Sequence, residues 1–267
     1  MTDCHAFCFI KISHFCGRMK LNTGNSKTTL TLLTIGTLVL LLVPGIAVVL
    51  HWQWLPPVEI PAYLFPLYLV TETGTVPYAF VTCIVLGIIP LFYYPQLPAR
   101  KKLLLVVIMA ATLGVGQLVK STLKNVAQAP RPYIVWLEKS NHINASDFYQ
   151  LTREERKEFL TRQDFSQFTV PSWQQAHWAK ETGFSFPSGH SIFVAQWMLM
   201  LWLLLWRKKA YIMMTLIMCW ACAIEASRLL LGMHWPQDVM LSCLLAFILI
   251  YIARICWNKW VFHAPVP

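Results

Sequence analysis

The stretch 211–257, YIMMTLIMCWACAIEASRLLLGMHWPQDVMLSCLLAFILIYIARICW, decides the fold of this chain. It contains two long apolar runs, residues 211–230 and 237–257, on either side of a short turn that carries His234. A helix of roughly 20 apolar residues is long enough to cross the hydrocarbon core of a bilayer. The stretch therefore predicts a hairpin of two transmembrane helices with polar residues at the turn.

Four similar apolar runs precede this hairpin. Of the 267 residues, 57% are hydrophobic and 13% are charged, whereas soluble domains have roughly 25% charged residues. The six runs are residues 29–50, 76–94, 103–123, 186–206, 211–230 and 237–257. We predict an all-α membrane protein with six transmembrane helices, forming one domain over residues 29–257.

The formal net charge of +10 is distributed among short clusters between the apolar runs. Such clusters mark cytoplasmic loops, whereas a nucleic-acid-binding protein gathers its charge into one basic patch. The clusters lie in residues 1–28, 100–102, 207–209 and 254–259. They predict a multi-pass inner (plasma) membrane protein with its cytoplasmic ends at residues 1–28 and 258–267. Met19 is an alternative start, so residues 1–18 need not be native.

The long polar segment 133–185 connects the third and fourth runs. Thr152 and Glu155 form a capping-box pattern, which predicts a short helix ending near Arg162. We expect this segment to form a small helical extracytoplasmic cap, with His142 and His177 exposed to solvent. The tryptophans of the outer loops are interpreted as anchors at the membrane interface; they are Trp52, Trp54, Trp173, Trp178 and Trp235.

Polar residues cluster at the outer ends of four runs, where membrane-embedded charge indicates function. The fourth and sixth helices would begin on this side, and a helix N-terminus with free N–H groups binds anions. Arginine forks and a lysine charge suit phosphate oxygens. Phosphate is a tetrahedral oxyanion, and a ligand of this kind would fit such a site. The candidates for binding it are Lys124, Arg131, Ser188, Gly189 and Arg228.

His234 and Asp238 lie four residues apart, on one face of a helix. A carboxylate in this position can keep one imidazole nitrogen protonated and leave the other free as a nucleophile. His190 is then available as the general acid. Glu225 precedes Arg228 by three residues; we predict an ion pair between them, with a proton-relay or substrate role for Glu225 as the alternative.

The cysteine pattern favours neither a disulfide framework nor a metal site. Cys219 and Cys222 lie within an apolar run, where cysteine packs as a small apolar residue. A zinc site in the N-terminal segment is the alternative to reduced thiols, with the ligands Cys4, His5, Cys8, His14 and Cys16. Since no carboxylate cluster suits magnesium, we predict no metal and no cofactor.

Three motifs together resemble the signature of the type-2 phosphatidic acid phosphatase family. They are Lys124-x6-Arg131-Pro132, Pro187-Ser188-Gly189-His190 and Ser227-Arg228-x5-His234-x3-Asp238. The six-run layout extends the resemblance over about residues 29–257. It implies that His234 attacks phosphorus to form a phosphohistidine and that Asp238 orients it. His190 would protonate the leaving group and then activate water. The remaining matching positions would hold the phosphate: Lys124, Arg131, Arg228 and the backbone N–H groups of Ser188 and Gly189.

The resemblance implies a metal-independent membrane lipid phosphatase. Its substrates would be lipid phosphate monoesters or pyrophosphates, such as phosphatidylglycerophosphate, phosphatidate or an isoprenoid pyrophosphate, and they would enter laterally from the bilayer. The alternatives are a lipid phosphotransferase that uses the same intermediate, an anion transporter, and a vanadate-dependent haloperoxidase, which shares the signature. We predict no nucleic-acid partner, and the sequence does not determine the oligomeric state.

Overall fold

The structure is a computed structural model that describes residues 26–262 except 141, 166, 167 and 169. Within this part every regular element is helical, in agreement with the predicted all-α class. The α-helices are α1 Ser26–Val49, α2 Leu64–Glu72, α3 Tyr78–Tyr93, α4 Ala99–Ala127, α5 Pro132–Lys139, α6 Ala145–Gln150, α7 Arg153–Arg162, α8 Ser172–Lys180, α9 Gly189–Leu205, α10 Tyr211–Leu230 and α11 Pro236–Cys256. The zinc alternative and the predicted N-terminal segment up to residue 25 lie outside the described residues.

Helix α9 forms the centre of the bundle. Its sequence is apolar on every side, and such a helix is stable only when neighbours surround it. Helices α1, α3, α4, α10 and α11 all pack against it, and every residue from 191 to 205 is buried. Its polar exception, Gln196, donates its side-chain N–H to the Thr112 carbonyl oxygen at 2.8 Å. The motif at the start of α9 is thus attached to a helix that neighbours surround on every side.

Among the described residues, five helices are long and apolar enough to cross a membrane: α1, α4, α9, α10 and α11. The predicted second crossing corresponds to α3, which has 16 residues and a length of about 24 Å at 1.5 Å per residue. That is shorter than the hydrocarbon core, which is roughly 30 Å thick. The length and composition of these helices indicate a multi-pass membrane protein. The sixth crossing stays a prediction.

The connection between α4 and α9 contains four short helices, α5 to α8, which we call the cap. The predicted capping box at the start of α7 is confirmed. The Thr152 hydroxyl accepts from the Glu155 N–H at 3.3 Å, and the Glu155 carboxylate accepts from the Thr152 N–H at 2.7 Å. Aromatic rings form the core of the cap; they include Tyr133, Trp136, Phe148, Phe165 and Trp178. The placement of the cap outside the cytoplasm stays a prediction.

Two tryptophans that we interpreted as membrane anchors instead fix the cap to the bundle. Trp54 is 5% exposed and Trp178 is fully buried, and their rings meet edge to face at 5.7 Å. Their indole N–H groups donate to the carbonyl oxygens of Leu230 and Leu231, both at 2.9 Å. The anchor interpretation is therefore wrong for this pair, because the carbonyl groups that end α10 need hydrogen-bond donors.

Candidate active site

Arg131 connects three segments that are distant in the sequence. It precedes α5 and is 4% exposed. Its Nε donates to the Gly183 carbonyl oxygen at 2.6 Å, and its Nη1 donates to the Met233 carbonyl oxygen at 3.1 Å. The same Nη1 lies 3.5 Å from His234 Nε2. The predicted phosphate-binding arginine and the predicted nucleophile therefore lie side by side.

His234 is held in the turn between α10 and α11, where it is 1% exposed. This turn requires Gly232, whose φ is +72° and which lies against the ring of Trp54, so that a side chain would collide with the indole. Burial, followed by the charges of Arg131 and Arg228, lowers the pKa of His234 well below its usual range. His234 is consequently a neutral imidazole at neutral pH, which is the protonation state that a nucleophile needs.

The carboxylate of Asp238 lies near the other nitrogen of the His234 ring. Asp238 Oδ2 is 3.8 Å from His234 Nδ1, which is longer than a hydrogen bond. The same oxygen accepts from the Trp235 N–H at 3.0 Å and from the Ser185 hydroxyl. The two residues are neighbours, as predicted, and His234 Nε2 is the nitrogen that faces the cationic side chains.

His190 lies on the first turn of α9, across the site from His234. Its Nε2 is 2.9 Å from the Thr75 hydroxyl, and it lines the same cavity as His234. The ring fits closely against Gly74, where a Cβ atom would lie 2.8 Å from His190 Cδ2. The turn between α2 and α3 therefore helps to position the predicted general acid.

The two residues before His190 differ in what they offer to a ligand. Ser188 caps α9, and its backbone N–H donates to the Ser242 hydroxyl at 2.9 Å. That N–H is therefore not free to bind a phosphate in this structure, contrary to the role predicted for Ser188. Gly189 does line the cavity, and its missing side chain leaves room for Lys120, whose Cδ would lie 2.6 Å from a Cβ atom. A side chain here would displace that lysine from the site.

The predicted lysine, Lys124, lines the cavity and donates from its Nζ to the Phe184 carbonyl oxygen. Lys120, one helical turn earlier on α4, lines it as well and donates to Gln117 at 2.8 Å. Sequence reasoning did not include Lys120, although its spacing of four residues from Lys124 places both on one face of the helix. The site therefore contains a second ammonium group.

Arg228 is fully buried near the end of α10. The predicted ion pair with Glu225 is wrong. The Glu225 carboxylate instead accepts from the Ser191 hydroxyl at 2.6 Å and lies 3.5 Å from the Cys243 thiol. The Arg228 guanidinium faces the cap, where its Nη2 donates to Glu181 at 2.8 Å. Spacing along one helix did not predict the partner because the cap supplies a closer carboxylate.

Glu181 is a second residue, besides Lys120, that the sequence analysis did not place in the site. Its carboxylate lies 2.8 Å from Arg228, 3.6 Å from Arg131 and 3.8 Å from His190. Burial alone would raise its pKa, but the surrounding positive charges, that of Arg228 above all, hold the pKa well below its ordinary value. An anion thus lies among the predicted phosphate-binding cations. No local sequence pattern distinguishes Glu181 from the other charged residues of the cap.

One cavity of about 1040 Å³ is lined by seven of these residues, namely Lys120, Lys124, Arg131, Glu181, Gly189, His190 and His234. At one end the cavity is lined by charged residues from α4 and the cap, and by the two histidines of the sequence motifs. At the other end it is lined by Val76, which precedes α3, and by apolar residues of α3, α4 and α9, namely Ala79, Cys83, Leu113 and Phe193. Among the described residues no group of three histidine, cysteine or acidic side chains could hold a metal ion; the absence of a metal requirement stays a prediction.

Two imidazoles thus lie beside a cluster of cationic side chains in a helical membrane protein. Comparison with known proteins identifies the family. Residues 103–262 match the model of the PAP2 superfamily, and the chain belongs to this superfamily, as the signature predicted.

Phosphatidylglycerophosphatase B of Escherichia coli (strain K12) is 37% identical over 227 residues, which cover 83% of this chain and 89% of that protein. The Haemophilus influenzae protein of the same name is 33% identical over 222 residues, covering 81% and 91%. These relatives are phosphatases, and the chain is accordingly a hydrolase.

Proposed function

We propose that this protein removes a phosphate group from membrane lipids through a phosphohistidine intermediate on His234. The observation that carries the proposal is the cavity itself. A neutral imidazole, a second histidine and the cations of Lys124 and Arg131 line one end, and apolar side chains line the other. Arg228 contacts this end through Glu181, which also lines the cavity. A phosphate on an apolar tail matches both ends.

The phosphoryl group would take the place that the Glu181 carboxylate now occupies. Arg228 and Arg131 already contact one oxygen of that anion, Glu181 Oε2, at 2.8 and 3.6 Å. A phosphate dianion presents more oxygens and more charge to the same forks. Lys120 and Lys124 add two ammonium groups at the edge. Because charge in a phosphoryl transition state lies largely on the equatorial oxygens, fixed cations are the main catalytic device.

The reaction proceeds in two displacements. His234 Nε2 attacks phosphorus, the P–O bond to the lipid breaks, and His190 gives its proton to the departing oxygen. His190, now neutral, takes a proton from water; the hydroxide attacks the phosphohistidine, and phosphate leaves with the P–N bond broken. Asp238 balances the positive charge that the His234 ring carries between the two steps.

A lipid substrate would reach the site from the side. The apolar end of the cavity lies between α3 and α4, whose outer faces carry large exposed apolar residues such as Phe80, Ile84 and Leu118. Acyl or isoprenoid tails would remain in the bilayer there while the phosphate enters. We propose phosphatidylglycerophosphate, phosphatidate and isoprenoid pyrophosphate as substrates and the extracytoplasmic face as the side of the site.

The first experiment measures phosphate release by the purified protein from this lipid panel, in detergent with EDTA. We expect activity without added metal, and we expect His234→Gln to reduce it by roughly 10⁴-fold or more, since it removes the nucleophile. His142→Gln is the matched control, because His142 lies in the cap against Phe168 and does not line the cavity.

The alternatives give different results. A phosphotransferase would release little phosphate until an acceptor alcohol is added, and a transporter would show counterflow in vesicles without phosphate release. A requirement for magnesium, or full activity of His234→Gln, would refute the proposed mechanism.

A further inference from the structure

A second carboxylate–imidazole pair lies behind the active site. Glu72, at the end of α2, and His177, in α8, are both buried. His177 Nδ1 lies 3.1 Å from Glu72 Oε1, and His177 Nε2 lies 3.3 Å from Arg228 Nη1. The three side chains form a continuous hydrogen-bonded chain from α2 through the cap to α10.

We propose that Glu72 and His177 are positioning residues, which orient the Arg228 guanidinium so that its Nε–Nη2 edge faces the substrate phosphate. The proposal rests on the proposed function, because it assigns the role of two residues toward the phosphate of that reaction.

The hydrogen bonds of Arg228 divide its guanidinium into a supporting end and a free edge. An arginine has five N–H donors in a fixed plane. Nη1 donates to the Thr71 hydroxyl at 3.0 Å and to His177 Nε2, so both of its N–H groups are used. On the other side, Nη2 donates to Glu181, while the buried Nε has no hydrogen-bond partner among the described residues. Nε and Nη2 form the side-on edge that binds two phosphate oxygens in parallel.

The role requires one tautomer of His177, and Glu72 selects it. The Glu72 carboxylate accepts only, so the proton of a neutral imidazole lies on Nδ1 and the lone pair lies on Nε2. Nε2 can then accept from Arg228, which only donates. His177 Nε2 is also 3.7 Å from Glu181, beyond hydrogen-bond distance, whereas Arg228 Nη1 is closer at 3.3 Å. The geometry therefore matches the neutral form with Arg228 as its partner.

Loss of this support should affect the transition state more than ground-state binding. Substitutions of residues that orient a metal ligand typically cost about 10- to 100-fold, and we expect a similar factor for residues that orient an arginine. The same factor should appear in inhibition by orthovanadate, which adopts the trigonal-bipyramidal geometry of phosphoryl transfer.

The experiment compares His177→Leu with His177→Gln in the purified full-length protein, using the best substrate of the panel. A glutamine can place its amide oxygen near the position of Nε2 and accept from Arg228, whereas leucine fills similar space without an acceptor. We expect His177→Leu to lower kcat by about 10- to 100-fold with little change in KM, and to weaken vanadate inhibition by the same factor. We expect His177→Gln to retain most of the wild-type kcat and most of the wild-type vanadate inhibition.

His142→Leu is the control, because His142 also lies in the cap, against Phe168, but does not line the cavity. It should keep wild-type kcat and vanadate inhibition. The melting temperature of each variant separates positioning from folding: a loss of kcat with unchanged vanadate inhibition, or equal losses in the leucine and glutamine variants, would overturn the inference. If the wild-type protein itself releases no phosphate, the proposed function fails instead.

Discussion

The two carboxylate–histidine pairs of this molecule differ in how they are formed. His234 and Asp238 are four residues apart on adjoining elements, and His234 Nδ1 lies 3.8 Å from Asp238 Oδ2. His177 and Glu72 are 105 residues apart, and His177 Nδ1 is hydrogen-bonded to Glu72 Oε1 at 3.1 Å. The pair that is local in sequence is thus the looser one, and the pair formed across the fold is hydrogen-bonded.

This difference follows from what each pair contacts. The Asp238 carboxylate accepts from the Trp235 N–H and from Ser185, so it is fixed while the His234 ring beside it has no partner on Nδ1 among the described residues. Catalytic hydrogen bonds are often long before substrate binds. Behind the site, His177 contacts partners through both ring nitrogens. The pair His234–Asp238 is suited to a reacting group. The pair Glu72–His177 is suited to holding a neighbouring side chain in place.

The largest effect that tests this comparison concerns Asp238. Asp238→Asn keeps the shape but removes the charge beside the imidazole that becomes cationic in the reaction. We expect kcat to fall by roughly 10²–10⁴-fold, by analogy with the loss of the carboxylate in a catalytic triad. Phosphate-release assays with the purified variant measure this.

Ser185→Ala is its control, since Ser185 contacts the same carboxylate but not the ring. We expect a loss of about tenfold, smaller than that of Asp238→Asn, because Ser185→Ala removes one hydrogen bond to the carboxylate, worth about 1.5 kcal/mol or more, and keeps its charge. Equal losses in the two variants would show that Asp238 acts only through the local hydrogen bonds of the turn.

An intermediate effect is expected at Glu181, whose carboxylate lies between the His234–Asp238 pair and the Glu72–His177 pair. Because its pKa is held low, it is ionised at neutral pH and competes with phosphate for Arg228 and Arg131. Glu181→Gln should therefore strengthen inhibition by orthophosphate by about tenfold, a change of about 1.4 kcal/mol.

The same substitution should lower the melting temperature, since it leaves buried cations without their counter-charge. Glu154→Gln, an exposed cap residue that lines the same cavity, is the matched control. Weaker phosphate inhibition in Glu181→Gln would mean that the carboxylate assists binding instead of competing with it.

The smallest effect is a shift of the pH profile. His234 attacks only as the neutral ring, and its pKa lies well below the ordinary value of about 6.5. The acid limb of kcat/KM, after correction for titration of the substrate phosphate, should therefore lie below pH 6.5. Glu181→Gln should move it further down, because removing a negative charge makes the imidazolium less favourable. An acid limb at or above pH 6.5 would contradict the environment described for His234.

The sequence by itself determined the class of the fold and the identity of most of the site. Apolar runs long enough for a bilayer leave little choice of structure, since every backbone polar group must be bonded within the membrane. The spacing of four residues predicted Asp238 beside His234, and the two are neighbours although α11 begins only at Pro236. Motif spacing identified Lys124, Arg131, His190 and Arg228, all of which the structure brings to one anion-binding cluster or its cavity.

Only the tertiary structure decided which partners these residues have. The burial of His177, the turn of Arg228 away from Glu225 and the place of Glu181 among the cations depend on how the cap docks against α2 and α10. That docking depends on aromatic packing around Trp54 and Trp178. Residues that are about a hundred positions apart in the sequence but in contact in the fold leave no periodic pattern in the sequence. Packing decides side-chain contacts between separate elements, and the helical periodicity of either element does not.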